Sequence, residues 1–293
     1  MTIYTATEAE SRAQAHAARV DHYTHDHLIR RSHGEKHPVF DFLFEYYPIK
    51  PAQMAKWHPG LGNSIEAPED HSTWKFYTET DGLIHLDLDA YWAKRGETAL
   101  YIKDLLERTL TNPAHFDCFG MHEWAMVYHI EPRHNLPLRL GHEGSAAVVD
   151  EHVAKNGNIR CTHYDAFRYF APDATNLNQQ QLTRERQPYC EQRGCLHAAM
   201  DLYKWAAKLG PIVPGELFMD CFELAWDCRI LDMEASPYDC RGLGFGVVPV
   251  DTPEGKAEYV RRQRELSQRA TPLREQLIDL VRSASGQASQ AGR

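Results

Sequence analysis

Apolar positions recur at helical intervals along most of the chain and alternate strictly only once. Leu196, Met200, Tyr203 and Ala207 mark a helix from about Cys195 to Leu209, which Gly210-Pro211 ends because proline cannot continue a helix. A second helix from about Gly215 to Met233 carries Leu217, Phe218, Phe222, Leu224, Trp226, Ile230 and Leu231. Upstream, Thr7 to Arg31 predicts a polar, weakly amphipathic helix, Val39 to Tyr47 a very aromatic one, and Lys50 to Gly62 a short one ending in a Trp57-His58-Pro59-Gly60 turn. Asp89 to Leu110 and Phe116 to Ile130 predict two more, followed by a short strand at Leu136 to Leu140 and a short helix at Ser145 to His152. Thr252 to Arg269 and Thr271 to Val281 read as two final helices, and the chain from Ser283 as a disordered tail. Residues 74–79 and 83–88 alternate around Asp81-Gly82, the signature of a β-hairpin. The expected fold is mainly α: a single helical domain with a small β-hairpin. It divides into a polar helix and loop over 1–37, a helical catalytic domain over 38–282 with the hairpin near 74–88, and the tail over 283–293.

Within that pattern the two helices around Gly210 are unusual in their charge. His197 and Asp201 stand one turn apart on the first. On the second, Glu216, Asp220, Glu223 and Asp227 recur every three or four residues beside an aromatic surface, and Arg229 is the only base between Glu216 and Met233. Two readings remain open. The acids form a solvated face, or one paired with Arg and Lys from elsewhere. Alternatively, the carboxylates and His197 point into a polar pocket between helices.

Other segments offer chemistry as well. The charged loop from Arg30 to Pro38 leads into the aromatic helix, where Asp41 among Phe40, Phe42 and Phe44 needs a partner if buried, with His37 or Arg30 the candidates. His122, Glu123 and His129 lie in the segment of Trp124, but their spacing is not that of the His-Glu-x-x-His zinc motif. His163, Asp165 and Arg168 cluster before Phe170, and on a helix Asp165 and Arg168 would pair. Gly242 to Gly246 lacks the residues of a phosphate-binding loop and reads as a turn.

Composition narrows the class. The chain of 293 residues is 43% hydrophobic, enough for a real core, and its net charge of -9 gives no overall attraction to phosphate. Arg261, Arg262, Arg264 and Arg269 form the one dense basic stretch. No apolar run approaches the roughly 20 residues that span a bilayer, so no membrane partner is expected. Thr5 to His37 is too polar for a leader peptide, and seven scattered cysteines without a CxxC pair read as reduced thiols. Both point to a cytoplasmic protein.

Three functions fit these residues. Hydrolysis of a sugar–base bond needs a carboxylate and an aromatic slot for a flipped base. Asp220, Glu223 and Asp227 supply the first, with His197 and Asp201 as further catalytic residues, and Trp124, Tyr128, Phe167, Tyr203, Trp226 and Tyr238 the second. His37, Asp41, His163, Asp165 and Arg168 would complete the substrate pocket, and Arg261, Arg262 and Arg264 would contact DNA phosphates, with no cofactor required. A metal-dependent enzyme acting on a small molecule would use Glu123, His129, His197, Asp201, Glu223 and Asp227 to hold iron, singly or as a di-iron pair, or zinc. Their spacing does not repeat Glu-x-x-His. The third function is a non-enzymatic helical binding protein.

The blocks Glu35-Lys36-His37-Pro38-Val39-Phe40-Asp41-Phe42-Leu43-Phe44, His122-Glu123-Trp124-Ala125-Met126-Val127-Tyr128 and Asp201-Leu202-Tyr203-Lys204-Trp205-Ala206 resemble a group of bacterial proteins labelled 3-methyladenine DNA glycosylase. The resemblance covers most of the chain. It implies a hydrolase of DNA base excision that removes a modified or alkylated base. The chain departs from the helix-hairpin-helix glycosylases, having no hairpin phosphate loop followed by a single catalytic Asp.

Overall fold

The computed structural model describes residues 2–291 except 48 and 133. Helices take up 60% of the residues and strands 6%, so the chain is mainly α with a small sheet, as the patterning predicts. In chain order the elements are β1 (Ile3–Tyr4), α1 (Ala6–Ser32), α2 (Phe42–Glu45), α3 (Pro51–Met54), β2 (Ser64–Glu66), β3 (Tyr77–Thr80), β4 (Leu83–Leu86) and α4 (Leu88–Thr111). There follow α5 (Met121–Met126), α6 (Gly141–Asn156), α7 (Tyr164–Phe167), α8 (Pro172–Thr175), α9 (Gln187–Cys190), α10 (Leu196–Leu209), α11 (Gly215–Glu234) and α12 (Pro253–Ala291). No helix among the described residues is long and apolar enough to cross a membrane.

Contacts divide the chain into two units. The first contains the chain up to Leu106, Leu202–Glu223 and the stretch from Pro272. Here α1 begins at a capping box: the Thr5 hydroxyl accepts from the Glu8 N–H at 3.3 Å, and the Glu8 carboxylate accepts from the Thr5 N–H at 2.9 Å. The sheet has the order β1-β2-β4-β3, with β1 and β2 parallel and the other pairs antiparallel. Asp81 and Gly82 both take positive φ, 52° and 75°, the backbone that a two-residue hairpin turn requires. Trp57, Ile65 and Ala9 form one buried cluster. The short helix expected over 50–62 is confined to α3. The chain then turns inward, and Gly60 takes φ 85°, where a Cβ would meet Pro214 Cγ at 2.6 Å.

The second unit contains Glu107–Asp201 and Leu224–Thr271. The helix expected from Phe116 to Ile130 shrinks to α5, because Phe119 and Gly120 take φ 46° and 69° before it and His129 takes φ 56° after it. Leu136 to Leu140 is not a strand; its one ladder pairing among the described residues is a single bridge, Leu138 to Tyr238. Conversely, α6 is longer than expected, and α12 joins the two predicted terminal helices and runs into the expected tail as far as Ala291. Pro272 lies inside α12. The buried residues Ala270, Leu277 and Ile278 on either side of it hold the helix continuous past the missing hydrogen bond.

Candidate functional site

The polar centre of the second unit is built from α5, α10, α11 and the loops around α7 and α9. His122 and Glu123 sit side by side on the short helix α5, both buried. Opposite them, α11 presents Arg229 and Asp232, 1% and 0% exposed, three residues apart. His122 Nε2 lies 2.8 Å from Asp232 Oδ1, and Arg229 Nη1 lies 2.8 Å from Asp232 Oδ2. Arg229 Nη1 also lies 3.5 Å from Glu123 Oε1. Each buried charge thus has an opposite neighbour, the condition under which charges survive away from water.

The electrostatics follow from this pairing. Burial opposes ionisation of Asp232, but His122, in charge and in hydrogen bond, outweighs it, and the Asp232 pKa falls well below the usual carboxylate range. Burial likewise opposes a charge on His122, and Asp232 and Glu123 overcome it, so the His122 pKa is raised. Glu123 is pushed up, first by burial and then by Asp232. His197, on the first turn of α10, behaves differently. Burial, then the neighbouring His122, hold its pKa down to about 3. Its ring lies 4.4 Å from that of His122 and 5.2 Å from that of His163. Neither of its ring nitrogens has a hydrogen-bond partner among the described residues. Donor atoms of His122, His197 and Asp232 all lie within 4.8 Å of one another.

A second cluster adjoins the first through the stacked His163 and His197 rings. His163 Nε2 lies 3.1 Å from Asp201 Oδ2 and 3.3 Å from Glu191 Oε1, and Glu191 also accepts from Gln187 Nε2 at 2.5 Å. These donors too fall within 4.8 Å of one another, yet they suit a metal poorly. His163 is the N-cap of α7, and its Nδ1 accepts the Ala166 N–H at 3.2 Å. The ring proton therefore sits on Nε2, between the two carboxylates. An ion on Nε2 would displace that proton and leave the ring without one unless the cap broke. This cluster is a proton-holding knot, and the first is the set with an open donor.

A small cavity of about 20 Å³, large enough for one water molecule, lies beside both clusters. His122, His163, His197 and Gln192 line it, as does the fully buried Tyr259, whose hydroxyl faces the Cys118 thiol. Cys118, Cys161 and Cys195 also stand in its wall. Burial raises all three thiols, Cys161 to about 12, so they stand as protonated thiols rather than nucleophilic thiolates.

The acidic stripe of α11 follows the paired reading, not the inward-pocket one. Arg19 of α1 reaches Glu223 through Nε at 2.7 Å and Asp220 through Nη2 at 2.7 Å, and Arg12 reaches Glu216 at 3.0 Å. Asp227 pairs with Arg269 at 2.8 Å, both near half-exposed. None of Asp220, Glu223 or Asp227 joins the His122–His197–Asp232 set. His129 is also elsewhere, exposed and 3.2 Å from Asp173. Of the sequence candidates, His197, Asp201, Glu123 and His163 do lie in these two clusters.

Most of the expected aromatic slot is core. Trp124 is fully buried and donates to Ala235 O at 2.9 Å. Tyr203, in the first unit, is fully buried against Tyr47, Phe218 and Phe222, and Tyr238 is buried beside the Leu138 bridge. Asp165 binds Arg184 at 2.6 Å and Arg168 at 3.5 Å. Most of the basic stretch is paired within the chain: Arg261 with Glu258 and Glu265, and Arg262 with Glu234, while Arg264 lies over the Phe116 ring.

Asp232 and Glu191 escaped the sequence reading, and His122 and Arg229 were noted there without a role. Arg229 and Asp232 lie about 150° around α11 from the acidic stripe at 100° per residue. They share a face with Cys221, Phe222 and Ala225, all buried. A lone Arg and an Asp three residues apart on the apolar face was the available signal. No family model, curated protein or solved structure matches the chain.

Proposed function

We propose that the chain is a metal-dependent enzyme acting on a small molecule, with His122, His197 and Asp232 as the ligands. One observation carries the reading: two imidazoles and a carboxylate converge to within 4.8 Å, and one of the imidazoles, His197, is neutral with its nitrogens unclaimed among the described residues. Two histidines and one carboxylate form a donor set suited to iron(II) and also acceptable to zinc. Such an ion would supply Lewis acidity and, as iron, oxygen chemistry. The chain's own groups support it. Arg229 holds the second oxygen of Asp232 and so fixes the carboxylate's orientation, the usual task of a residue behind a ligand. Glu123 balances the charge of Arg229 and His122.

The test is metal analysis of the purified protein, followed by titration with Fe(II) and Zn(II). About one tightly held ion per chain, lost in His197→Ala and in Asp232→Asn but retained in Glu223→Gln, supports the reading. Absence of tight binding to wild type under both metals overturns it.

The glycosylase reading rests on the resemblance alone, since its carboxylates and arginines are engaged within the chain. Salt-sensitive retention on duplex DNA, abolished by Arg261→Glu with Arg264→Glu, would restore it.

A further inference from the structure

In the first unit, the end of α1 and helices α2 and α3 enclose a cleft of about 490 Å³, a volume typical of small-molecule sites. It is separate from the metal reading above. Its floor is an oriented histidine. Asp41, 4% exposed, accepts from His27 Nδ1 at 2.9 Å and Arg30 Nη2 at 2.7 Å through one oxygen, and from the His37 backbone N–H at 2.8 Å through the other. Burial opposes its charge, but these three donors lower its pKa and keep it ionised. His27 Nδ1 must therefore carry a proton, which in the neutral ring leaves the lone pair on Nε2. That nitrogen has no hydrogen-bond partner among the described residues. The His27 ring is also stacked on Phe44, centroids 4.3 Å apart. A carboxylate from behind and a ring from the side hold it in one pose.

The rim sets the sign of the ligand. Lys36 and Glu45 neutralise each other at 2.7 Å, and Arg30 is taken by Asp41. Arg31, Lys50 and Glu35 remain on the lining without ion pairs among the described residues, two cations against one anion. Phe44, Ile49 and Pro51 supply the apolar wall.

We infer that this cleft binds a small planar-ring anion of the carboxylate or phosphate class. The anion sits at Arg31 and Lys50, the ring lies against Phe44, and a hydroxyl or N–H of the ring donates to His27 Nε2.

Calorimetry on the full chain with 4-hydroxybenzoate, benzoate and 4-hydroxybenzylamine tests this. The hydroxybenzoate binds, benzoate binds about fivefold more weakly for want of the donor, and the amine does not bind. Arg31→Glu and Lys50→Glu, both at exposed positions, each weaken hydroxybenzoate about tenfold or more. Glu35→Gln strengthens it. His27→Asn, which still offers a donor to Asp41, abolishes the difference between hydroxybenzoate and benzoate. No binding of 4-hydroxybenzoate at about 10 mM, equal binding of the amine, or affinity indifferent to Arg31→Glu and Lys50→Glu overturns the inference.

Discussion

Asp232 and His122 meet through a single hydrogen bond, Oδ1 to Nε2 at 2.8 Å, with Asp232 fully buried and its other oxygen held by Arg229. One carboxylate therefore answers two cations that come from different elements. Replacing it by the near-isosteric Asn leaves two cations in a dry interior with Glu123, at 3.5 and 3.8 Å, as their one nearby anion. Asp232→Asn is expected to destabilise the protein by about 3–5 kcal/mol. Urea unfolding measures it, and a loss below about 1 kcal/mol would mean that the cations are not relying on Asp232.

The pH dependence of stability carries the sign of His197. Its folded pKa, about 3, lies below the ordinary histidine value. As pH falls below about 6.5, the unfolded chain takes up a proton that the folded chain refuses, so stability drops by about 1.4 kcal/mol per pH unit for this group, until about pH 3. His58 and His152, held to about 3 and about 4 by burial, act in the same direction. His197→Gln should therefore make the acid limb between pH 6 and pH 4 shallower by about one proton, read from chemical unfolding at several pH values. An unchanged slope would place His197 in contact with water.

His122 has the opposite sign. Its raised folded pKa means that its ion pair stabilises fully below the ordinary histidine pKa and is lost as pH rises through the folded value. A metal would compete with the same proton, so affinity for Zn(II) should climb as pH rises toward the raised His122 value, with proton release on binding. Calorimetry in two buffers of different ionisation enthalpy detects that release. A pH-independent affinity would remove His122 from the ligand set.

If the His163 knot holds a proton rather than an ion, metal content saturates at about one per chain rather than two, and Asp201→Asn leaves it unchanged. Elemental analysis of the variant beside the wild type decides this. Loss of metal in Asp201→Asn would assign an ion to the knot and contradict the tautomer set by the Ala166 N–H.

The stripe of α11 makes a weaker demand. Arg19, Asp220 and Glu223 are each 29–48% exposed, so solvent screens their pairing. Arg19→Met is expected to cost about 1 kcal/mol or less. Asp220→Asn with Glu223→Gln should leave metal content intact. A collapse of metal binding in that double variant would return the stripe to the site.

What could be read in the sequence tracks how local the cause is. The breaker after Leu209, the Asp81-Gly82 turn and the need of Asp41 for partners are legible because each depends on neighbours in the chain. Asp41 finds both candidates named for it, the Arg30 guanidinium and the His37 backbone, and adds His27. The long helix expected over 116–130 fails because its apolar residues suit a buried short helix equally well. Where the backbone reverses at Phe119 and Gly120 is not encoded in periodicity. Pro272 misleads in the other direction, since packing keeps α12 continuous through it.

Periodicity and composition alone determined a mainly α chain with one hairpin, and put His197 and Asp201 on one helix. They could also see that α11 carries acids on one side and a solitary arginine on the other. Which side faces a partner was left to tertiary structure, because a helix presents every face and only packing decides which becomes dry. Arg12, Arg19 and Arg269 meet the conspicuous acids at the surface, while the inconspicuous Asp232 is drawn inside against His122 and Arg229. A charge gains chemical consequence where water is excluded, and exclusion is a property of the assembled fold rather than of spacing along the chain.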